Sequence, residues 1–211
     1  MTTEATEFRN AMAEAEIRTA LSGKRCWHAY VSAGSTFGLD LGRKLRRDPC
    51  EAERLGKALD DRVAKRGAPA AEHEKQAVEF KGESHMIVWC TWRLDGPTGP
   101  LASSDLEAEP CQAALEQVVG KKVQHVTIGP GWELSLAFST GLLLSAFPDH
   151  VGPGASIDTN WELWRRDRAY FIREDLSCEV LDSELRPLRP QAGNQRWKVA
   201  EDVAAEAKVD R

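Results

Sequence analysis

The sequence predicts an α+β protein made of two similar antiparallel β-rich modules, an internal duplication in which each module is preceded by a short helix. Three observations carry this expectation. Gly23-Lys24-Arg25 through Leu41 aligns without gaps on Gly120-Lys121-Lys122 through Phe138, 97 residues further on. Gly23, Lys24, His28, Gly34 and Leu39 meet the same residue types at Gly120, Lys121, His125, Gly131 and Leu136, and Val31, Phe37 and Leu41 meet Ile128, Leu134 and Phe138. Self-similarity at a fixed offset describes architecture, because each copy is one supersecondary unit that needs a neighbour to cover its apolar face. Second, the apolar period changes from helical to alternating at the glycine that opens each copy. Third, each copy closes on a Trp-x-Leu strand, Trp92-Arg93-Leu94 and Trp161-Glu162-Leu163.

Ile17, Ala20 and Leu21 are spaced i, i+3, i+4 ahead of Gly23, and Leu115, Val118 and Val119 repeat that spacing ahead of Gly120. Each glycine suits a left-handed C-cap that releases the chain into a strand. The two helical signals are one residue out of step relative to the strands. Trp27, Ala29 and Val31 then alternate with Cys26, His28 and Tyr30, as Val126 and Ile128 do with His125 and Thr127. Gly34 and Pro130-Gly131 mark turns, after which Phe37, Leu39 and Leu41 form a second strand in one copy and Leu134, Leu136 and Phe138 in the other. Ser139-Thr140-Gly141 turns into a third strand over Leu142 to Phe147.

Between Arg47 and Glu79 the first copy carries a charged insert, with Leu55, Leu59 and Val63 at helical spacing and a polar loop around Gly67-Ala68-Pro69. The second has only the loop Asp149 to Asn160. Gly96-Pro97-Thr98-Gly99-Pro100, within residues 95–105, reads as a linker between copies. The expected organisation is therefore 1–95 for the first module with its helix and insert, 96–183 for the second, and 184–211 for a proline-rich, then acidic tail ending in a helix around Val199 to Ala207.

The 211 residues carry a formal charge of −5, with a pI near 5.6, which argues against a dedicated nucleic-acid binder. No apolar run is long enough to span a bilayer. The acidic start, Met1 to Glu7, lacks the basic-then-apolar order of a signal peptide, so the expectation is a cytoplasmic protein without membrane attachment. Five widely spaced cysteines, odd in number and without a C-x-x-C pair, agree with a reducing compartment, and most of them read as small buried apolar residues.

Nucleophile and phosphate-loop motifs are missing. Ala33-Gly34-Ser35 lies in a hairpin turn, and Gly129-Pro130-Gly131 and Gly152-Pro153-Gly154 put proline where a phosphate would need an amide donor. His28 and His125 occupy equivalent positions and could meet around a metal with Cys26, but the counterpart of Cys26 is Val123 and nothing completes a ligand set. His73, His85 and His150 are isolated in sequence. Glu79, Glu83, Asp95, Glu133 and Glu162 read as solvated carboxylates. No catalytic residue, metal ligand or cofactor is therefore assigned.

Two basic clusters remain, Arg43, Lys44, Arg46 and Arg47 after the first hairpin, and Arg165, Arg166 and Arg168 after Trp164. Either charge blunts edge strands against stray pairing, or arginine beside tryptophan serves a protein interface or single-stranded nucleic acid. Of the seven tryptophans, Trp92 and Trp161 match and read as core. The unmatched Trp27, Trp132, Trp164 and Trp197 supply any aromatic binding surface. The candidate binding residues are Trp164, Arg165, Arg166, Arg168 and Trp132.

Gly82-Glu83-Ser84-His85-Met86-Ile87-Val88-Trp89-Cys90-Thr91-Trp92-Arg93-Leu94 resembles a strand of small bacterial β-rich proteins of unknown function. Leu134 to Phe147 with Trp161-Glu162-Leu163 resembles a pattern of the same group and of some toxin-immunity-type proteins. The resemblance implies a non-catalytic bacterial protein whose surface binds something, and no site residues carry over. The functional expectation is protein–protein interaction in the cytoplasm, of the immunity or antitoxin kind, with a basic toxin or a second copy of the chain as partner. The alternative is a small-molecule-binding or hydrolytic enzyme using a cleft between modules. A tryptophan-lined pocket holding two carboxylates or two histidines points to the alternative, and a broad pocketless surface to the binder.

Overall fold

In the computed structural model, which describes residues 3–32, 36–67, 69–70, 72–149, 159–182, 186, 188–190 and 197–199, helix α1 (Thr3–Leu21) leads into strands β1 (Cys26–Val31) and β2 (Phe37–Arg46). The insert folds as α2 (Pro49–Arg66) and α3 (Glu72–Glu79), followed by β3 (Phe80–Val88), β4 (Thr91–Gly96) and β5 (Gly99–Ser103). Next come α4 (Ala108–Leu115) with a 3-10 turn (Glu116–Val118), β6 (Val123–Ile128), β7 (Leu134–Phe138) and β8 (Leu143–Phe147). Strands β9 (Thr159–Arg165), β10 (Arg168–Arg173) and β11 (Cys178–Asp182) and a small ribbon of β12 (Leu188–Pro190) and β13 (Trp197–Val199) complete the described chain.

Two antiparallel sheets result, six strands in the order β1-β2-β3-β9-β10-β11 and five in the order β5-β4-β8-β7-β6. The α+β class read from the sequence is the class of the structure. Hairpins β1–β2 and β6–β7 share one register: Cys26↔Leu41, His28↔Asp40 and Val31↔Phe37 become Val123↔Phe138, His125↔Ala137 and Ile128↔Leu134, with a register shift after Cys26 and after Val123. Gly23 and Gly120 both adopt positive φ, 74° and 82°, and end their helical segments as glycine does at low cost. At the point of contact the bonds exchange under the same offset. Gly23 N–H donates to Val123 and Gly120 N–H to Cys26, while Cys26 N–H donates to Lys121 and Val123 N–H to Lys24.

The third and fourth strands depart from a side-by-side arrangement. β3 and β4 are consecutive but do not pair: β3 stays with β2, and β4 crosses to pair with β8. Conversely β9 leaves β8 and pairs with β3. The six-stranded sheet thus takes β9, β10 and β11 from the second half of the chain and the five-stranded sheet takes β4 from the first, so a boundary between residues 95 and 96 does not separate the sheets. The stretch read as a linker at 95–105 is a hairpin, with Gly96↔Gly99 closing β4 onto β5. Glycine and proline mark a tight turn and a linker alike, and the short β5 behind it was not resolvable by pattern.

Alternation directs Phe37, Leu39, Leu41, Met86, Val88, Trp161 and Leu163 of one sheet and Trp92, Leu94, Leu134, Leu136, Phe138 and Leu144 of the other into one shared core. Trp92 meets Phe37 edge-to-face at 5.0 Å between ring centroids, and Trp161 meets Trp132 in the same way at 6.4 Å. Ala13, Ile17, Ala20 and Leu21 of α1 and Cys111, Ala114 and Leu115 of α4 close the core. The Gln112 side chain on α4 also accepts from Val31 N–H and donates to the Ala29 carbonyl, satisfying part of the free edge of β1.

The insert behaves as its sequence suggests. Asp48 caps α2 by accepting from Cys50 N–H, Pro49 fits the first turn, and Gly67 ends the helix at φ 68°. With α3 it lies over the outer face of the six-stranded sheet, where Leu55, Ala58, Ala77 and Val78 face Tyr30 and His85 across a cleft. Among the described residues no helix is long and apolar enough to cross a membrane. The tail helix expected over Val199 to Ala207 lies outside the described residues, except for Val199, which is in β13.

Candidate functional site on the outer face of the six-stranded sheet

Polar residues gather where period-two alternation turns side chains of β1, β2, β3 and β9 away from the core. Asp40 is the anchor, with no exposed surface. Its Oδ2 lies 3.0 Å from His28 Nδ1 and its Oδ1 2.9 Å from His85 Nδ1, and Gly82 N–H donates to Oδ1 at 2.7 Å. Burial by itself pushes the Asp40 carboxyl up, but the hydrogen bonds from His28, His85 and Gly82 outweigh it and hold the group well below the usual carboxylate range. The pairings follow from register, since Asp40 stands opposite His28 on one side and His85 on the other.

Tyr30 lies between the imidazoles, with ring centroids 5.3 Å from His28 and 6.2 Å from His85, and its hydroxyl is 3.5 Å from His85 Nε2. Opposite it, Gly38 makes room: a Cβ there would sit 2.3 Å from the Tyr30 ring. Burial pushes the Tyr30 phenol up to about 12, with the Asp40 charge acting in the same direction. Trp27 extends the stack, and Lys44 lies 4.9 Å above its ring.

Glu162 stands on the next strand, opposite Ile87, and is 8% exposed. It accepts the Trp89 indole N–H at 3.3 Å and a hydrogen bond from Trp164. Burial raises its pKa against these two donors, so the folded protein holds this proton more tightly than the unfolded chain. Stability attributable to Glu162 therefore declines as pH rises from 4.5 through the raised value, and above that window the penalty is constant. Glu162→Gln is expected to unfold at higher denaturant concentration than wild type at pH 7 and at the same concentration below pH 4. Equal midpoints at pH 7 would remove the charge penalty.

Two clefts open over this face and share Arg47, Glu51, His85 and Ile87. The first, about 770 Å³, is bounded by the tail of β2, the start of β3 and the β9–β10 turn. Lys44, Arg46, Arg47, Lys81, Arg165, Arg166 and Arg168 line it, against Glu51, Glu162 and Asp182. Several of these cations are engaged: Arg47 with Glu51, Arg168 with Glu16 and Asp167, and Arg165 with Asp167 at 3.7 Å. Arg46, Lys81 and Arg166 are exposed and form no ion pair among the described residues. Trp164 forms part of the wall, its ring edge-to-face with Phe171. The second cleft, about 710 Å³, runs beneath the helical insert past His28, Tyr30 and Gln112.

Of the residues singled out from the sequence, Trp164, Arg165, Arg166 and Arg168 meet at the first cleft, joined by Lys44, Arg46 and Arg47 of the other basic cluster. Trp132 does not join them. It is 3% exposed, packs on Trp161 and accepts the Trp161 indole N–H at its carbonyl, so it is a core residue. His28 and His125 are not brought together: His28 is held by Asp40, while His125 is exposed on β6 of the other sheet. Asp40 and the grouping with His85 were missed, although a charged residue amid Phe37, Leu39 and Leu41, in register with His28, was a usable signal.

No protein-family model, no curated protein and no solved structure matches the chain. Asp40 orients His85 by Nδ1, an arrangement that suits proton transfer when a reacting group lies within reach of Nε2. Three of the five thiols are poor nucleophiles, since burial pushes Cys26, Cys90 and Cys178 up to about 12, whereas Cys50 is exposed on α2, outside the lining of the first cleft. Among the described residues no three His, Cys, Asp or Glu side chains converge as metal ligands. The first cleft sets exposed cations and the carboxylates Glu51, Glu162 and Asp182 beside an aromatic wall.

Proposed function

We propose that the chain is a binding protein whose outer-sheet cleft takes a small anionic ligand. The observation that carries the reading is the convergence of Arg46, Lys81 and Arg166, exposed and without ion pairs among the described residues, on a cleft walled by Trp164. A volume of about 770 Å³ falls in the range of small-molecule sites. The reading leaves the protein–protein binder for the small-molecule-binding alternative, since the cleft is walled by Trp164, holds the carboxylates Glu51, Glu162 and Asp182, and draws its lining on a single sheet from both expected modules. It also turns the charge argument around. A net charge of −5 favours basic partners at long range, whereas this cleft favours acidic groups, and a protein partner seated here would have to present them.

Titration calorimetry with inorganic pyrophosphate tests the reading. Wild-type protein is expected to bind, with affinity falling as salt screens the exposed cations. The double variant Lys81→Glu with Arg166→Glu is expected to weaken binding at least about tenfold while leaving stability within about 0.5 kcal/mol, because both side chains are on the surface. No heat of binding at millimolar pyrophosphate, or unchanged affinity in the double variant, would sink the proposal.

A further inference from the structure

Beside the cations, the same cleft carries a buried carboxylate next to an aromatic wall, a pairing that discriminates among anions. We infer that the ligand is a guanine nucleotide, with its base against Trp164, its Watson–Crick edge on Glu162 and its phosphates on Arg46, Lys81 and Arg166. This rests on the anion-binding reading of the same cleft and adds to it the identity of the base.

Glu162 sets the first requirement. An ionised carboxylate is acceptor-only, with about four lone-pair sites. Trp89 and Trp164 each donate one hydrogen bond, which leaves acceptor capacity on a group that lines the cleft. A ligand that satisfies this capacity must present donors. Among the common bases, guanine alone offers two adjacent donors, N1–H and the 2-amino group, on one edge. Adenine and cytosine place a ring-nitrogen acceptor beside their amino group, and uracil flanks its single N–H with carbonyls. Each of the other bases would therefore turn an acceptor toward a buried anion.

Trp164 supplies the second requirement. It is half-buried, and its cross-strand partner on β10 is the small Ala169, which lines the cleft with it. Base–indole stacking is tolerant of base identity, so it contributes affinity while Glu162 contributes choice. The exposed cations stand at the sheet end, where Lys81 pairs with Leu45 at the tail of β2 and Arg166 lies in the turn after β9. A cleft of this volume holds a free nucleotide and not a polynucleotide strand.

Binding of GDP, ADP, CDP, UDP and inorganic pyrophosphate to the full chain, followed by calorimetry and by tryptophan fluorescence, separates the two levels. The expected result is GDP binding at least tenfold tighter than pyrophosphate and at least tenfold tighter than the other three diphosphates. Glu162→Gln puts a donor where the carboxylate had an acceptor, so it should abolish the preference for GDP over ADP, while pyrophosphate, relieved of a like charge in the cleft, should bind no more weakly than to wild type. Trp164→Ala should bring GDP down to the affinity of pyrophosphate. If pyrophosphate binds and GDP binds no tighter, or if the GDP preference survives Glu162→Gln, the guanine assignment fails and the anion-binding cleft stands. If neither ligand binds, both fall.

Discussion

Replacing Trp161 or Trp92 with alanine is expected to cost about 3–5 kcal/mol of folding stability each, as for large aromatic side chains deleted from a core. Both have no exposed surface. Each lies on the strand that crosses to the other half's sheet, Trp161 opposite Val88 and Trp92 opposite Ala146. Truncation opens a cavity at the seam where the two sheets are joined. Trp161 carries an additional loss, since its indole N–H serves the Trp132 carbonyl at 2.9 Å and Trp132 packs on its ring. Urea unfolding of the two single variants measures the effect. A loss below about 1 kcal/mol in either would show that its pocket collapses without penalty, which close packing does not allow.

Asp40→Ala is expected to cost a similar amount, about 3–5 kcal/mol, because it removes a buried charge from its hydrogen-bonded partners. The acceptor for His28, His85 and Gly82 disappears together. The pH dependence is a second signature. Asp40 has a folded-state pKa depressed below its ordinary 3.8, so its contribution is fully present above that value and is lost as pH falls toward the lower folded one. Wild-type stability should therefore drop on acidification below about pH 4, and the drop should be smaller in Asp40→Asn, which keeps the shape without the charge. Parallel acid profiles for the two proteins would show that Asp40 does not hold its partners through charge. Asp40→Asn also keeps the comparison open if the alanine variant fails to fold.

Much of the fold was legible because local rules govern it. Alternation around Val31 and Phe37, and around Ile128 and Leu134, set the hairpins, and Gly23 and Gly120 set their starts. The capping of α2 follows from Asp48, Pro49 and Gly67. The exchange of β4 and β9 was not legible. Val88 and Thr91 are separated only by Trp89 and Cys90, the spacing of a tight hairpin, and alternation records which face a residue takes but not which strand it pairs with. Trp132 was misplaced for a related reason. The repeat offered no aromatic at the matching position, Ser35, but burial follows from tertiary packing against Trp161 and needs no counterpart.

At the site, Trp164 and the following arginines were found because aromatic and cationic residues adjoin in the sequence. Asp40, His85 and Glu162 come from three strands, and their grouping depends on the pairing of β3 with β9 that exchange creates. His85 had no local partner to announce it. Its two neighbours, Asp40 and Tyr30, lie 45 and 55 residues away.

The crossing of β4 and β9 also sets the order in which the molecule can be made. A chain emerging from its N-terminus presents β1, β2 and β3 with the outer edge of β3 unpaired, and the strand that covers that edge, β9, is synthesised only after the whole of β5 to β8. Pairing at such sequence separation closes long loops before contacts reward it, which makes for slow folding. For that interval the nascent chain carries an exposed edge rich in Met86, Ile87 and Val88, and Lys81, Glu83 and His85 along the same strand supply the polar side chains that discourage pairing with a second chain.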